Sequence, residues 1–541
     1  MRNELSRLIS VTEILIGKSI PAIFIGRIEA TAMLVAVILA IGAPDRGSIP
    51  MLYWNNCMSY VFHTYWPLVF AGFERIVAMA AALHALLKKR ETNSVIGWVG
   101  LIWLTPLIGS FLYFLLGINR IQRKGNALQD ELQSALSKIK VPVPDDIALR
   151  IKEAKERHPK FAQLVDAVGR LTNRPLLPGN KITPLINGDA AYPAMLAAID
   201  GAQRSITLET YIFDFDEAGK QFVDALAAAT QRGVSVRVLI DDVGAKYSRT
   251  STVRELRKRG VNCQTFLPTW YPVLVPHANL RNHRKVMVAD GLIGFTGGIN
   301  IRAGCVIGSK PPHPTKDLHF QFEGPVVTHL QEAFATDWAF ATGEVLDGDA
   351  WLPLPEFRGN SLARGISDGP DEDFERLLMT ILAAVAVASH RIVIMTPYFL
   401  PDTSLMRALT TAALRGVDVK VLLPGQNNIA LVQWASNNLL TQIIEEGVRV
   451  FMTAPPFDHT KLILVDEAWA LVGSTNLDPR SLRLNFEFNV ECYDIELARE
   501  LSQLANDKLS TATELTIDAI QNRNLVWRLR DGIARLFTPY L

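Results

Sequence analysis

The chain has 541 residues, 49% of them hydrophobic, enough to bury more than one core and too apolar for a disordered protein. Its 55 basic and 54 acidic residues nearly cancel, which excludes the electrostatic footprint that wraps long nucleic acid, so any anion must be held locally. Cys57, Cys263, Cys305 and Cys492 lie far apart without C-x-x-C spacing, pointing to free thiols and away from a zinc site or redox pair.

Mean hydropathy is positive, and the apolar residues concentrate in the first quarter of the chain, which points to membrane insertion. Within segment 1–60, the run 30–43 follows Arg27 and Glu29 and is short for a span; it suits an extra membrane-associated helix, lying on the surface or crossing, or an uncleaved signal-like stretch. Segment 61–124 reads as a transmembrane hairpin, with helices over 68–87 and 95–117. The first helix contains Glu74 and Arg75, which belong near an interface or against a neighbour, because charges at membrane depth cost roughly a few kcal/mol each. Lys88, Lys89 and Arg90 between the helices balance Arg120, Arg123 and Lys124 after them, so the positive-inside signal favours neither orientation. Segment 125–180 is a charged, helical linker broken by Val141-Pro142-Val143-Pro144.

From Lys181 onward, short β-branched runs alternate with alanine-rich helical stretches, the pattern of an α/β fold with a largely parallel or mixed sheet. SITLETYIFDFDEAGKQFVDALAAATQRGVSVRVLIDD, from Ser205, resembles RIVIMTPYFLPDTSLMRALTTAALRGVDVKVLLPG, from Arg391. Tyr211 matches Tyr398, Gly233 matches Gly416 and Gly260 matches Gly447, so the chain is an internal duplication. The halves are 181–345 and 374–541, joined by a Pro-, Gly- and Asp-rich connection over 346–373.

Each half carries the same constellation. HRKVMVADGLIGFTGGIN sets His283, Lys285 and Asp290 in H-x-K-x4-D spacing, with Gly297 fourteen and Asn300 seventeen residues after the histidine. HTKLILVDEAWALVGSTN repeats this with His459, Lys461, Asp466, Gly473 and Asn476 at the same offsets. On a strand, H-x-K projects histidine and lysine from one face, and a glycine turn returns the asparagine toward them. Two such copies converging would suit a phosphodiester. The lysines and amides would stabilise charge on its non-bridging oxygens, one histidine would attack phosphorus and the other would protonate the leaving oxygen, with no metal or cofactor needed. Asp290 and Asp466 belong to the motif, but suit a strand-turn role better than phosphate contact.

The doubled motif resembles the phospholipase D superfamily, and the text of 279–301, 396–402 and 471–490, with FLLGINR and RLRDGIARLFTPYL, resembles the bacterial cardiolipin synthases. The resemblance runs from about residue 68 to the end. It implies two duplicated phospholipase D-like α/β/α sandwich domains packed around one active site, preceded by the transmembrane hairpin, in a bacterial inner-membrane, multi-pass protein. The implied reaction is phosphatidyl transfer from one phosphatidylglycerol to another, giving cardiolipin and glycerol through a phosphohistidine. Hydrolysis to phosphatidic acid uses the same residues and is the alternative. The two halves are symmetric as to which histidine attacks; the resemblance favours His283, with His459 as acid and base. It further implies a carboxylate downstream of each motif to hold its histidine, Asp317 in the first half and Glu487 in the second. Asn300 and Asn476 are the expected phosphate-binding amides.

Other features carry plainer readings. Glu209, Asp214, Asp216 and Glu217 lie near the end of the first strand, placed either to face the pocket and its substrate or, in the ordinary role of acidic residues in a strand-to-helix loop, to solvate the loop or cap the helix. His319 reads as structural, opposite Asn489 in the other half. The stretch 525–537 sets Trp527 among Arg528, Arg530 and Arg535, which suits either an anionic lipid interface or a packed terminal helix.

Overall fold

The computed structural model describes residues 49–89, 92–117, 159–247, 250–268, 280–369 and 375–536, together with 152, 156 and 538. The apolar run 30–43 and most of the 125–180 linker, including its proline break, lie outside the described residues. The chain forms two compact units, Met1–Phe114 and Leu115–Leu541.

In the first unit, α1 spans Ile49–Lys88, α2 Thr92–Leu104 and α3 Pro106–Leu112. Within α1, Tyr65–Lys88 is, among the described residues, the one helix long and apolar enough to cross a membrane. Its 24 residues reach about 36 Å at roughly 1.5 Å per residue, against a hydrocarbon core of about 30 Å. The second run, expected as one helix over 95–117, is broken at Thr105. Pro106 has no N–H to continue the α2 ladder, and Thr105 Oγ1 donates to the Leu101 carbonyl at 2.8 Å. Gly109 lets α3 fold back, since a Cβ there would lie 2.5 Å from the Leu101 oxygen. Arg75 sits over the Trp103 ring at 5.9 Å, so this charge does face a neighbour.

The second unit opens with α4 (Pro159–Thr172), β1 (Leu177–Ile186) and α5 (Asn187–Gly201). Then follow β2 (Ser205–Thr210), α6 (Glu217–Gln231), β3 (Ser235–Asp241), α7 (Thr252–Lys258), β4 (Asn262–Phe266), β5 (Val286–Ala289) and β6 (Ile293–Gly297). The first half closes with β7 (Thr315–Lys316), β8 (Leu318–Glu323) and α8 (Val327–Thr342). After β9 (Ser361–Asp368) and α9 (Arg376–Val387) the plan repeats as β10 (Arg391–Met395), α10 (Thr403–Leu414), β11 (Asp418–Pro424), α11 (Ala430–Glu445) and β12 (Arg449–Thr453). It ends with β13 (Phe457–Asp458), β14 (Leu462–Val465), β15 (Trp469–Gly473), α12 (Pro479–Arg483), β16 (Glu487–Tyr493), α13 (Ile495–Ser510), β17 (Thr513–Glu514), α14 (Ile517–Gln521) and α15 (Leu525–Arg535).

Strand order reads β17-β12-β11-β10-β14-β15-β16-β9-β1-β8-β6-β5-β2-β3-β4, nearly a palindrome, which is the duplication made visible. In each half three strands run parallel (β2-β3-β4, β10-β11-β12) and the rest pair antiparallel, so the sheet is mixed. The repeated acidic loop residues do cap: Asp216 accepts from Gly219 N–H at the start of α6, and Asp402 from Leu405 N–H at α10. Helices α5 to α7 cover the outer face of the sheet in the first half and α9 to α11 that in the second. Between the halves, Val286, Phe320 and Phe322 share a core with Met395, Leu464 and Phe488, into which α8 inserts Leu330 and α13 Leu501. Each such fully buried side chain contributes about 1.5–3 kcal/mol, so neither half's inner face would be stable in water alone. The parallel pair β7 and β13 adds a second seam, with Thr315 opposite Phe457 and Lys316 opposite Asp458.

Candidate active site

Each H-x-K stands just ahead of a strand rather than within it: β5 begins at Val286, one residue past Lys285, and β14 at Leu462, one past Lys461. The lead-in segments are extended and held by the opposite half. His283 N–H donates to the Phe486 carbonyl at 2.9 Å, and His459 N–H to the Lys316 carbonyl at 2.7 Å.

The side chains cross over in the same way. His283 Nδ1 lies 3.0 and 3.1 Å from the two carboxylate oxygens of Glu487, and His459 Nδ1 lies 2.7 Å from Asp317 Oδ2. The resemblance had set each carboxylate with the histidine of its own half; the structure corrects this. Asp317 and Glu487 occupy equivalent places beside β8 and β16, but those strands point their first residues across the seam between halves. Glu487 also accepts from Ser474 Oγ and, at 3.4 Å, from Asn485 Nδ2, which fixes the carboxylate.

Both histidines line one cavity of about 720 Å³, together with Asn300, Asn476, Tyr211 and Tyr398. The Tyr211 ring meets the His283 ring edge-on at 5.2 Å and Tyr398 meets His459 at 6.3 Å, a repeated wall on each side. With Nδ1 taken by a carboxylate, Nε2 is the imidazole nitrogen left for a ligand. Asn300 Oδ1 accepts from Ile212 N–H at 3.1 Å, and Asn476 Nδ2 donates to Ser481 Oγ at 3.2 Å, which fixes both buried amides in the cavity wall.

Lys285 and Lys461 are buried behind the histidines and do not line the cavity; each Nζ folds back to its own histidine carbonyl, at 2.7 and 2.6 Å. Lys461 Nζ is also 2.9 Å from His459 Nδ1. The lysines therefore stand buried outside the cavity lining.

Asp290 and Asp466 stand at the far ends of β5 and β14, outside the cavity lining. Asp290 accepts from the backbone N–H of Gln203, Arg204 and Ser205, and Asp466 from those of Ser389, His390 and Arg391. Both are left-handed, with φ of 53° and 52°, at the tight turn into the next strand. Their repeated spacing in the two copies of the motif is thus explained by the turn, not by contact with a ligand. Glu209 is likewise turned away from the cavity and buried, accepting from Asn282 Nδ2 at 3.3 Å.

Arg480 was not singled out from the sequence. It lines the cavity from α12, and the residue at the equivalent offset in the first half is Gly304, so a search for doubled residues passes over it. Among the described residues Cys263, Cys305 and Cys492 are free thiols, and all three are buried.

Burial and the crowd of cations set the protonation states. His283 is held well below the usual histidine value by desolvation first, then by Lys285, Lys461, His459 and Arg480. His459 is lowered by desolvation and Lys461, with Asp317 opposing. Desolvation brings Lys285 down to about 7 and Lys461 down to about 8, each resisted by nearby carboxylates, and pushes Glu487 up to about 7 against the pull of Lys285.

The geometry finds its counterpart among known proteins. The model of the family described as cardiolipin synthase, PLD-like domain matches residues 195–338 and 381–508, and that of the phospholipase D-nuclease N-terminal family matches 76–117. The chain is 33% identical over 481 residues to cardiolipin synthase A of Pseudomonas putida (strain GB-1), covering 87% of this chain and 97% of that protein. It is 31% identical over 468 residues to cardiolipin synthase 2 of Staphylococcus epidermidis (strain ATCC 12228 / FDA PCI 1200), covering 85% and 95%. In fold it is similar to the crystal structure of phosphatidylserine synthase from Haemophilus influenzae Rd KW20, with a TM-score of 0.55, 16% identity, and coverage of 70% of this chain and 100% of that one.

Proposed function

The chain belongs to the bacterial cardiolipin synthases of the phospholipase D superfamily, and from that premise we propose the chemistry its cavity performs. The protein is a membrane-associated phosphatidyltransferase. Two phosphatidylglycerol molecules yield cardiolipin and glycerol at one active site shared by both halves. The observation carrying this reading is the reciprocal pair of histidine–carboxylate contacts, which aims two imidazoles into one cavity.

In the first step Nε2 of His283 attacks phosphorus, the bond to the glycerol oxygen breaks, and His459 delivers its proton to that oxygen. In the second, neutral His459 takes the proton from a hydroxyl of the second phosphatidylglycerol, whose oxygen attacks phosphorus and displaces the imidazole. Desolvation and the neighbouring lysines hold His283 well below the usual histidine value, which suits it as the nucleophile, because an attacking imidazole must be neutral. Lys285 and Lys461 oppose the negative charge that gathers on the non-bridging oxygens, Asn300 and Asn476 donate to those oxygens, and Glu487 and Asp317 position the two rings.

The two arms of the strand palindrome serve as the two domains of this reading, and they widen the expected divisions 181–345 and 374–541: β1 begins at Leu177, and β9 (Ser361–Asp368) lies inside the segment 346–373 expected as a connection, as a buried strand of the second half. We also place α2 and α3 beside α1 in the inner membrane, as an apolar arm that enters the bilayer and turns within it, because α3 folds back on α2 at Thr105–Pro106. The exposure of Ile96, Leu104, Ile108 and Phe111 supports that arm.

Purified protein given phosphatidylglycerol alone, in detergent, is expected to form cardiolipin and glycerol in equal amounts. Phosphatidic acid as the main product would replace the transferase reading with hydrolysis.

A further inference from the structure

The helix α15 presents its apolar face outward. An amphipathic helix packed on a protein ordinarily turns its aliphatic stripe inward. Here the buried groups are Asp531 and Ala534, with Asp531 accepting from Asn437 Nδ2 of α11 at 3.0 Å and paired with Arg523 and Arg530. Leu525, Val526, Leu529, Ile533 and Leu536 are 58% to 75% exposed. At 100° per residue those five fall within a stripe about 100° wide, with Arg530 along one edge and Arg528 and Arg535 along the other. Arg530 is stacked between Trp434 and Trp527, at 4.3 and 4.5 Å from their rings. The single acid on the helix, Asp531, is buried and paired with Arg523 and Arg530, so the outward face is apolar and carries no exposed acid, and Arg528 and Arg535 are the border cations that no carboxylate of the helix offsets.

The face adjoins the cavity. Leu431 and Trp434 of α11 line an apolar groove with Val526, Leu529 and Ile533, while Val432, between them in the chain, lines the cavity that holds both histidines. One helix thus separates the stripe from the reaction centre.

We infer that α15 docks on the anionic phospholipid surface of the bilayer, its aliphatic stripe in the acyl boundary and its arginines at headgroup phosphates, seating the cavity mouth where a lipid phosphodiester lies. Charge complementarity selects this occupant: a border of arginines without an exposed acid fits an anionic headgroup layer. The inference rests on the lipid-substrate reading above and adds to it the surface through which the substrate is reached.

The test uses the full chain in vesicles of equal parts phosphatidylglycerol and phosphatidylcholine, with a nitroxide on Leu529→Cys or Ile533→Cys and a reference nitroxide on Lys258→Cys of α7. Collision with dissolved oxygen and with a water-soluble nickel chelate is read by power saturation. Docking predicts high oxygen and low nickel collision at 529 and 533, and the reverse at 258. High nickel collision at 529 and 533 would overturn the inference, as would low collision with both probes, which would place a second protein copy there. In parallel, the Leu529→Glu, Ile533→Glu double variant is expected to lose about tenfold of its turnover in vesicles while keeping it within about twofold in detergent micelles. Equal turnover in vesicles would count against docking. Failure of every variant, native chain included, to form cardiolipin would strike the lipid-substrate reading and leave the collision data standing.

Discussion

His283, in the first half of the catalytic unit, is oriented by Glu487 of the second, 3.0 Å away, while His459 of the second half is oriented by Asp317 of the first, 2.7 Å away. Neither half owns a complete histidine–carboxylate pair. Glu487→Gln keeps the shape and loses the charge that fixes the ring's tautomer, so kcat is expected to fall about 10²-fold to 10⁴-fold with little change in KM. The crossing also makes a directional prediction. A phosphodiester with a nitrophenolate leaving group departs without needing a proton, so formation of the phosphoenzyme from it should survive Asp317→Asn and fail in Glu487→Gln. Equal rescue of both would show that Glu487 does not serve the nucleophile.

The pH profile of kcat/KM follows from the shifts around that pair. Lysine is charged below its pKa, and Lys285 and Lys461, brought down to about 7 and about 8, lose their protons as pH rises through that window. Activity is therefore expected to fall on the alkaline side first as His459, held below the usual histidine value, loses the proton it delivers, and further between about pH 7 and 8 as the lysines lose theirs. On the acid side the His283 imidazole stays neutral to well below its usual value, while Glu487, raised to about 7, takes up the proton first and loses its charge as pH falls through that value. Glu487→Gln should then shift the acid limb downward. Lys461→Arg, whose guanidinium keeps its charge past about pH 12, should shift the later, lysine-dependent part of the alkaline fall upward. Limbs that stay in place in these variants would assign the protons to other groups.

What could be read from the sequence was local. The offsets from His283 to Asn300 and from His459 to Asn476 are fixed by one strand, one turn and one return strand, so spacing alone brought those residues together. Partnership across the halves left no trace in spacing, because Asp317 and Glu487 hold equivalent places and either could have faced either histidine. Arg480 escaped because the duplication does not repeat it. The expected helix over 95–117 failed at Pro106, where an unbroken run of apolar residues concealed a missing backbone donor. Exposure of the α15 stripe depends on Asp531 finding Asn437 at 3.0 Å, a contact between residues 94 apart in sequence.

The aspartates of the repeated motif are expected to behave as structural groups. Asp466 accepts from three backbone N–H groups, and its removal leaves three donors at the start of β10 without their acceptor. Asp466→Ala should lower stability by about 1–3 kcal/mol, seen in thermal unfolding. Turnover per folded molecule should stay within about twofold of the native chain, because β14 carries the carboxylate about 13 Å from the histidine end of the strand. A loss of turnover comparable to that of His459→Ala would return Asp466 to the chemistry.

Gly473 tests whether backbone approach behind the second motif matters as much as the side chains in front of it. Its φ is +159°, and a Cβ there would meet the Phe488 carbonyl oxygen at 2.4 Å, backbone that cannot turn aside. Phe488 follows Glu487 on β16, so whatever relieves the clash must move the strand that presents the carboxylate to His283. Gly473→Ala is therefore expected to cost about 2 kcal/mol or more of stability and also to lower kcat in the molecules that still fold, through a displaced Glu487. Gly201→Ala, at the end of α5, meets nothing within 4 Å and serves as the comparison, with stability and turnover expected close to native. If Gly473→Ala lost stability but kept full turnover, the strand would be yielding without moving Glu487, and the positioning of His283 would rest on Ser474 and Asn485 alone.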